Sequence, residues 1–207
     1  MQIAIVGAGG HGRETLQAAR RSDGSDPRSP VVEVVGFYDD GKPDTALLEG
    51  LGVHHLGAVA DAAVPCLIGL GNGQAKEAIA TRVHAAPAVI DPLALVGDDV
   101  ELGAGAVVFA QATVTTNVRI GRHAHIGRGA AVGHDTAIGD YACVMPLASI
   151  SGNVVIGDRA FIGTGALIRQ GVTVGPDAVV GMGAVVLRDV PAGTTVAGNP
   201  AQDLRGR

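Results

Sequence analysis

The 207-residue chain is 47% apolar and 17% charged, the balance of a folded soluble protein and not of a disordered one. Its formal charge of −5 argues against non-specific nucleic-acid binding, which needs a basic surface to neutralise phosphates, and its two cysteines, Cys66 and Cys143, are too few for a disulfide framework. Aromatic residues make up only 2% while glycine occurs 32 times, so the interior is expected to be narrow, lined by Val, Ile and Ala, which favours a repetitive β architecture. The N-terminus runs straight into a strand-like segment, MQIAIVG, without a basic leader or a long apolar stretch. The expectation is a cytoplasmic protein with no membrane span.

In chain order, a strand is expected over residues 2–6, then a glycine-rich turn, a helix over about 13–21, a polar loop SDGSDPRSP, strands over 31–38 and 66–70, and a helix over 74–84. These elements make a small Rossmann-like βαβ unit, residues 1–84. The turn Gly7-Ala8-Gly9-Gly10-His11-Gly12 satisfies G-x-G-x-x-G directly after a strand and before a helix. Such glycines let a pyrophosphate approach the backbone at the positive end of the helix; the alternative is a turn needed only for tight strand–helix packing. Asp39 and Asp40 close the second strand, where a carboxylate either bonds a ribose or a base or stands solvated. The unit has room for a mononucleotide but not for both halves of a dinucleotide. Two prolines, in Ala86-Pro87 and Asp91-Pro92, mark the junction to the C-terminal part of the chain.

From Ile90 to Val186 an aliphatic residue recurs at every sixth position without a break. Two residues before it lies a small or β-branched one, as at Ala106, Ala112, Ala124 and Ala142, and glycine often comes directly after it, as at Gly103, Gly121 and Gly127. A separation of two puts both residues on one strand face, and the glycine marks a turn in each hexad. This [LIV]-[GAED]-x-x-[STAV]-x pattern resembles the hexapeptide-repeat superfamily. The resemblance implies that residues 85–207 form a left-handed parallel β-helix, a triangular prism with three hexads per coil, an exception to the right-handed crossover rule. A right-handed β-helix or another solenoid is the alternative, although those rarely keep a strict period of six.

The glycine turn with its His11, the Asp-Asp pair, the stretch Ile68-Gly69-Leu70-Gly71-Asn72 and the uninterrupted prism together resemble, over essentially the whole chain, the bacterial nucleotide-amino-sugar N-acetyltransferases and their sialic acid O-acetyltransferase-like relatives. The resemblance implies a metal-free transfer from acetyl-CoA to the amino group of a UDP- or GDP-linked sugar. It further implies a homotrimer in which the sugar reaches a crevice between adjacent prisms. By position, Gly10, His11 and Gly12 match the family's phosphate-binding turn, Asp39 and Asp40 its nucleotide contacts, and Gly71 and Asn72 a further substrate loop. Acetyl-CoA would lie between neighbouring chains near Gly152, Gly163, Thr164 and Met182, with Gly198-Asn199-Pro200-Ala201 closing the groove.

Acetyl transfer from a thioester to an amine needs a base for the proton of the attacking nitrogen and donors for the developing oxyanion. His134 is the candidate base: it stands at a prism corner, two residues after Val132, where the family keeps that residue. Asp135 comes next, and its carboxylate would favour the protonated imidazole and fix its tautomer. Thr116, Gly152 and Gln170 share the corner column, and Gly152 is expected to leave space for a ligand above His134. Two positions depart from the family. Cys143 stands where a second histidine contacts the acetyl carbonyl, and is carried over as an acetyl-CoA contact, although on its own it reads as a small packed thiol; Gly127-Arg128 replaces an Asn-Thr pair. The rival readings are a sugar O-acetyltransferase, a zinc hydratase of the γ-class carbonic anhydrase type drawing on His123, His125 and His134, and a non-enzymatic nucleotide-sensing trimer. The histidine spacing is against the second, and the His134-Asp135 corner against the third.

Overall fold

The computed structural model describes residues 1–204. The N-terminal unit is a four-stranded parallel sheet in the order β3-β2-β1-β4, with β1 (Gln2–Val6), β2 (Glu33–Tyr38), β3 (His54–Gly57) and β4 (Cys66–Ile68). β1 is a nearly continuous apolar run because an inner strand of a parallel sheet is covered on both faces, and β4, although last in the order, is also fully buried at Cys66, Leu67 and Ile68. Helix α1 (Gly10–Arg21) lays Leu16, Ala18 and Ala19 on one face, against Ile3, Ile5 and Phe37. The other face, with Ala4, Val6 and Tyr38, is closed by Ile79 of α3 (Gly73–Ala80) and by Val83.

Three expectations need correction. Helix α1 starts at Gly10 and not near residue 13, with Gly9 in extended backbone as its N-cap. Helix α3 ends at Ala80, short of residue 84, because the chain turns to send Ala85 back beside Cys66. The unit also holds two elements beyond a single βαβ: α2 (Thr45–Gly50), capped by the Asp44 carboxylate on Leu47 N at 3.0 Å, and β3 at the sheet edge. Both are too short to carry a periodic signal.

The prism comprises seventeen two-residue strands, from Val89–Ile90 to Val185–Val186, and each ends on the periodic aliphatic residue. Each of the first fourteen pairs in parallel with the strand 18 residues on, as in His125↔Cys143, Ala131↔Ser149 and Ala137↔Val155, so three hexads close one coil. The result is a left-handed parallel β-helix with three sheets. Its interior is filled by the aliphatic column and by the alanines two residues earlier; Ala106, Ala124, Ala142, Ala160 and Ala178 are fully buried. In the third column the same inward position takes Val118, Thr136, Val154 and Val172, so it admits β-branched side chains as well as alanine.

The N-terminal unit covers one face of the prism. Val107 and Phe109 enter the core beneath α1, and the Lys76 ammonium of α3 donates to the carbonyls of His123 at 2.6 Å and Ala142 at 3.3 Å. Gly73 permits the close approach, since a Cβ there would sit 2.6 Å from Arg159 Cα. At the far end the strand Thr195–Ala197 extends the same sheet and the strand Gln202–Asp203 folds back antiparallel on it. Among the described residues no helix is long and apolar enough to cross a membrane.

Candidate active site

The glycines of the turn divide by role. Gly7 leaves β1 at φ +95°, and a Cβ on Gly12 would collide with the Gly7 carbonyl, so these two serve the close strand–helix crossing. Gly10 is exposed and a Cβ there would meet nothing within 4 Å, so the space before the helix N-terminus is open. Asp39 pins the turn to β2, accepting from Ala8 N at 2.7 Å and Gly41 N at 2.8 Å. Asp40 accepts from Val59 N at 2.8 Å and from Arg82 at 3.0 Å, and these two donors hold its carboxyl below the ordinary value. Both carboxylates therefore serve the fold, and both also line a cavity of about 140 Å³ with Gly7, Val59, Leu70 and Ile79. It opens at the carboxyl ends of β1, β2 and β4, where the strand order reverses, the usual place for a ligand on such sheets. So small a volume seats one end of a nucleotide.

The side chain of His11 turns away from this space. Its Nε2 lies 2.7 Å from His125 Nδ1 on the prism, so only its backbone faces the turn's open side. Asn72 caps α3, its Oδ1 accepting from Ala75 N at 2.8 Å, and with Gly71 it borders a cavity of about 300 Å³ against Arg159, Phe161 and Asp177. A larger cavity, about 590 Å³, lies elsewhere, between the polar loop and the first coil near Asp26, Asp91 and Leu95, and holds none of the predicted site residues. Arg28 there is committed to Asp26 and to the carbonyls of Gly97 and Val100, which makes it a joint between the two halves.

His134 stands at an exposed prism corner with its Nδ1 2.7 Å from Asp135 Oδ2. Asp135 takes φ +58°, and its other oxygen accepts from Asn117 Nδ2 at 2.6 Å. The Asn117 hydrogen bond, and after it that of His134, keeps the Asp135 carboxyl below its ordinary value. A carboxylate on Nδ1 leaves Nε2 as the nitrogen for chemistry. Gly152 makes room for the imidazole itself, since a Cβ there would come within 2.5 Å of the His134 ring.

Thr164 and Met182, the latter 80% exposed, occupy the next corner together with Gly163, whose Cβ would press on Met182 N at 2.7 Å. The face bearing Ala131, Ser149 and Leu167 separates this corner from His134, so one chain does not bring the two groups together. Cys143 opens onto neither corner: it is 1% exposed, on the covered face beneath α3. Its expected place against the acetyl group is not met within one chain.

Sequence reasoning missed the buried cluster beneath the helices. Lys76 is fully buried, and burial lowers the affinity of its amine for a proton. Burial, with the Lys76 charge second, pushes His123 down to about 4 and His125 well below the ordinary imidazole value. The only trace of Lys76 in the sequence is its place three residues after Gly73 on the inward helix face. Among the described residues no group of three or more His, Cys, Asp or Glu side chains is arranged to hold a metal ion.

A glycine-turn α/β unit seated on a hexapeptide prism, with a His–Asp pair at a corner, defines a hexapeptide-repeat acyltransferase. Residues 2–83 match the PglD N-terminal domain, residues 135–170 the bacterial transferase hexapeptide (six repeats), and residues 153–188 the hexapeptide repeat of succinyl-transferase. The acetyltransferase domain of PglB from Neisseria gonorrhoeae FA1090 is 32% identical, with 98% of this chain and 99% of that one covered and a TM-score of 0.82. WeeI from Acinetobacter baumannii AYE is 32% identical over 99% of this chain and 100% of its own, TM-score 0.82. PerB from Caulobacter crescentus, solved with CoA and GDP-perosamine, is 29% identical over 98% and 97%, TM-score 0.83. No curated protein sequence gives a significant match. The chain belongs to the hexapeptide-repeat acetyltransferases that carry a PglD-type N-terminal domain.

Proposed function

We propose that the protein transfers the acetyl group of acetyl-CoA to the amino group of a UDP- or GDP-linked amino sugar, with His134 as general base. The observation that carries this reading is the pairing, in one chain, of a cavity at the strand-order reversal of residues 1–84 with the His134–Asp135 pair at a prism corner. Supporting it, the PglB domain has been solved with acetyl coenzyme A, and PerB with CoA and GDP-perosamine. Residues 1–84 hold the nucleotide, with the phosphates before Gly10 and the nucleoside end toward Asp39 and Asp40; residues 85–207 carry out the transfer.

The amine nitrogen attacks the thioester carbonyl and a new C–N bond forms. His134 Nε2 takes the amine proton, and Asp135 on Nδ1 stabilises the resulting imidazolium. The tetrahedral intermediate collapses, the C–S bond breaks, and the proton passes to the leaving CoA thiolate. The coenzyme takes the corner of Gly163, Thr164 and Met182 on a neighbouring chain. The homotrimer is part of this reading, because only a second copy against the intervening face borders both corners.

The test is a panel of UDP- and GDP-linked amino sugars with acetyl-CoA, monitored by thiol release and product mass. Release that depends on the sugar amine is expected. Release only with hydroxyl acceptors would make the protein an O-acetyltransferase, and none with any acceptor would leave a binding protein.

A further inference from the structure

His11 and Glu14 lie in the first turn of α1, directly behind the glycine turn; His125 and Arg128 lie at the same three-residue spacing on the prism. The two pairs interlock. His11 Nε2 is 2.7 Å from His125 Nδ1, Glu14 Oε1 accepts from Arg128 Nη1 at 2.8 Å, and His11 Nδ1 is 3.6 Å from Glu14 Oε2. Arg128 keeps half its side chain in solvent, so it contributes little to the core.

The hydrogen bonds have a direction. Burial lowers the proton affinity of both imidazoles, so both are neutral. The Glu14 carboxylate 3.6 Å from His11 Nδ1 favours the proton there, which makes Nε2 the acceptor and His125 Nδ1 the donor. His125 Nε2 then carries a lone pair; it has no hydrogen-bond partner, and the nearby Lys76 ammonium favours a lone pair over an N–H. Arg128 also belongs to the corner column of Thr164 and Met182, through the backbone bonds Leu147 N to Arg128 O, Gly165 N to Pro146 O and Gly183 N to Thr164 O.

We infer that His125 and Arg128 are positioning residues, which clamp the first turn of α1 to the prism so that a sugar held by its phosphates at the glycine turn presents its amine at the transfer site. This rests on the reading of residues 1–84 as the nucleotide-binding unit. Both side chains are spent on the helix, His125 on His11 and Arg128 on Glu14, so their effect on the reaction runs through its placement. A misplacement of about 1 Å costs on the order of a hundredfold in rate, whereas each ligand still binds its own half-site.

The experiment compares Arg128→Ala, His125→Leu and His125→Asn in the full chain, measuring kcat, KM for acetyl-CoA, the calorimetric Kd for UDP or GDP, and melting temperature. Arg128→Ala and His125→Leu are expected to lower kcat about tenfold or more while the nucleotide Kd stays within about twofold. His125→Asn puts an amide N–H where Nδ1–H stood and is expected to keep kcat within about threefold. A wild-type kcat in both Arg128→Ala and His125→Leu overturns the clamp, as does a loss matched by weaker nucleotide binding. Wild-type protein inactive on every nucleotide amino sugar overturns instead the reading on which the clamp rests. If His125→Leu does not fold, Arg128→Ala, on an exposed side chain, decides alone.

Discussion

The backbone at Asp135 takes a left-handed conformation, φ +58°, that aspartate tolerates better than most residues, and this turn sets its carboxylate beside the ring of His134. His134→Ala is expected to lower kcat by about 10² to 10⁴ with little change in KM for acetyl-CoA, the span for loss of a general base. Asp135→Asn is expected to cost less, because the amide oxygen still accepts from Nδ1. Removing the negative charge disfavours the imidazolium, so the basic form persists to lower pH and the acidic limb of the kcat profile moves down. A limb that stays in place would take Asp135 out of the proton transfer, and a His134→Ala enzyme keeping about a third of its kcat would take out His134. The corner column was legible in the sequence because the six-residue period places Thr116, His134 and Gly152 above one another. What fills the gap at Gly152 was not, since spacing reports which residues are neighbours and not which way a ring lies.

At the scale of elements, the hexads could be read because each repeat restates the same rule: an aliphatic residue and a small one face inward, and a turn comes after them. The α/β unit has no such redundancy. Strand β3, HHLG, offers one large apolar residue, and α2 is a single capped turn, so both escaped the period. Lys76 escaped for another reason: the carbonyls that satisfy it belong to two prism coils 47 and 66 residues away in sequence. The same interface makes the fold sensitive to acid. His123 is held neutral, its value pushed from 6.5 to about 4 by burial first and the Lys76 charge second. Between those two values the unfolded chain binds a proton that the folded chain does not, so stability is complete above about 6.5 and falls as the pH drops toward 4. The shift corresponds to about 3 kcal/mol, with His11 and His125 acting in the same direction. Calorimetric melting across that window is expected to show a falling Tm, and His123→Asn, which suits the φ of +53°, to fall less steeply. Equal slopes would mean that His123 is protonated in the folded protein.

At the scale of the molecule, the three prism faces differ in what they offer to solvent. One lies under α1 and α3. Another carries the Arg119–Glu101 pair at 3.2 Å among its outward residues. The third presents Leu95, Thr113, Ala131, Ser149, Leu167 and Val185, without a charge, and Leu95 is 70% exposed. An uncharged face of this length is costly to leave in water, which favours the trimer proposed above. It is also the face that separates the His134 corner from that of Thr164 and Met182, so a second copy seated on it would complete the proposed site. Light scattering is expected to report a trimer at micromolar concentration. Ala131→Lys combined with Ser149→Lys, which sets like charges on the face of every copy, is expected to give monomers that bind the nucleotide with unchanged affinity, because residues 1–84 are untouched, and that lose transfer by about a hundredfold or more, because no neighbour brings the coenzyme to His134. Monomeric wild-type protein, or a monomeric variant with full activity, would mean that each chain carries a complete site.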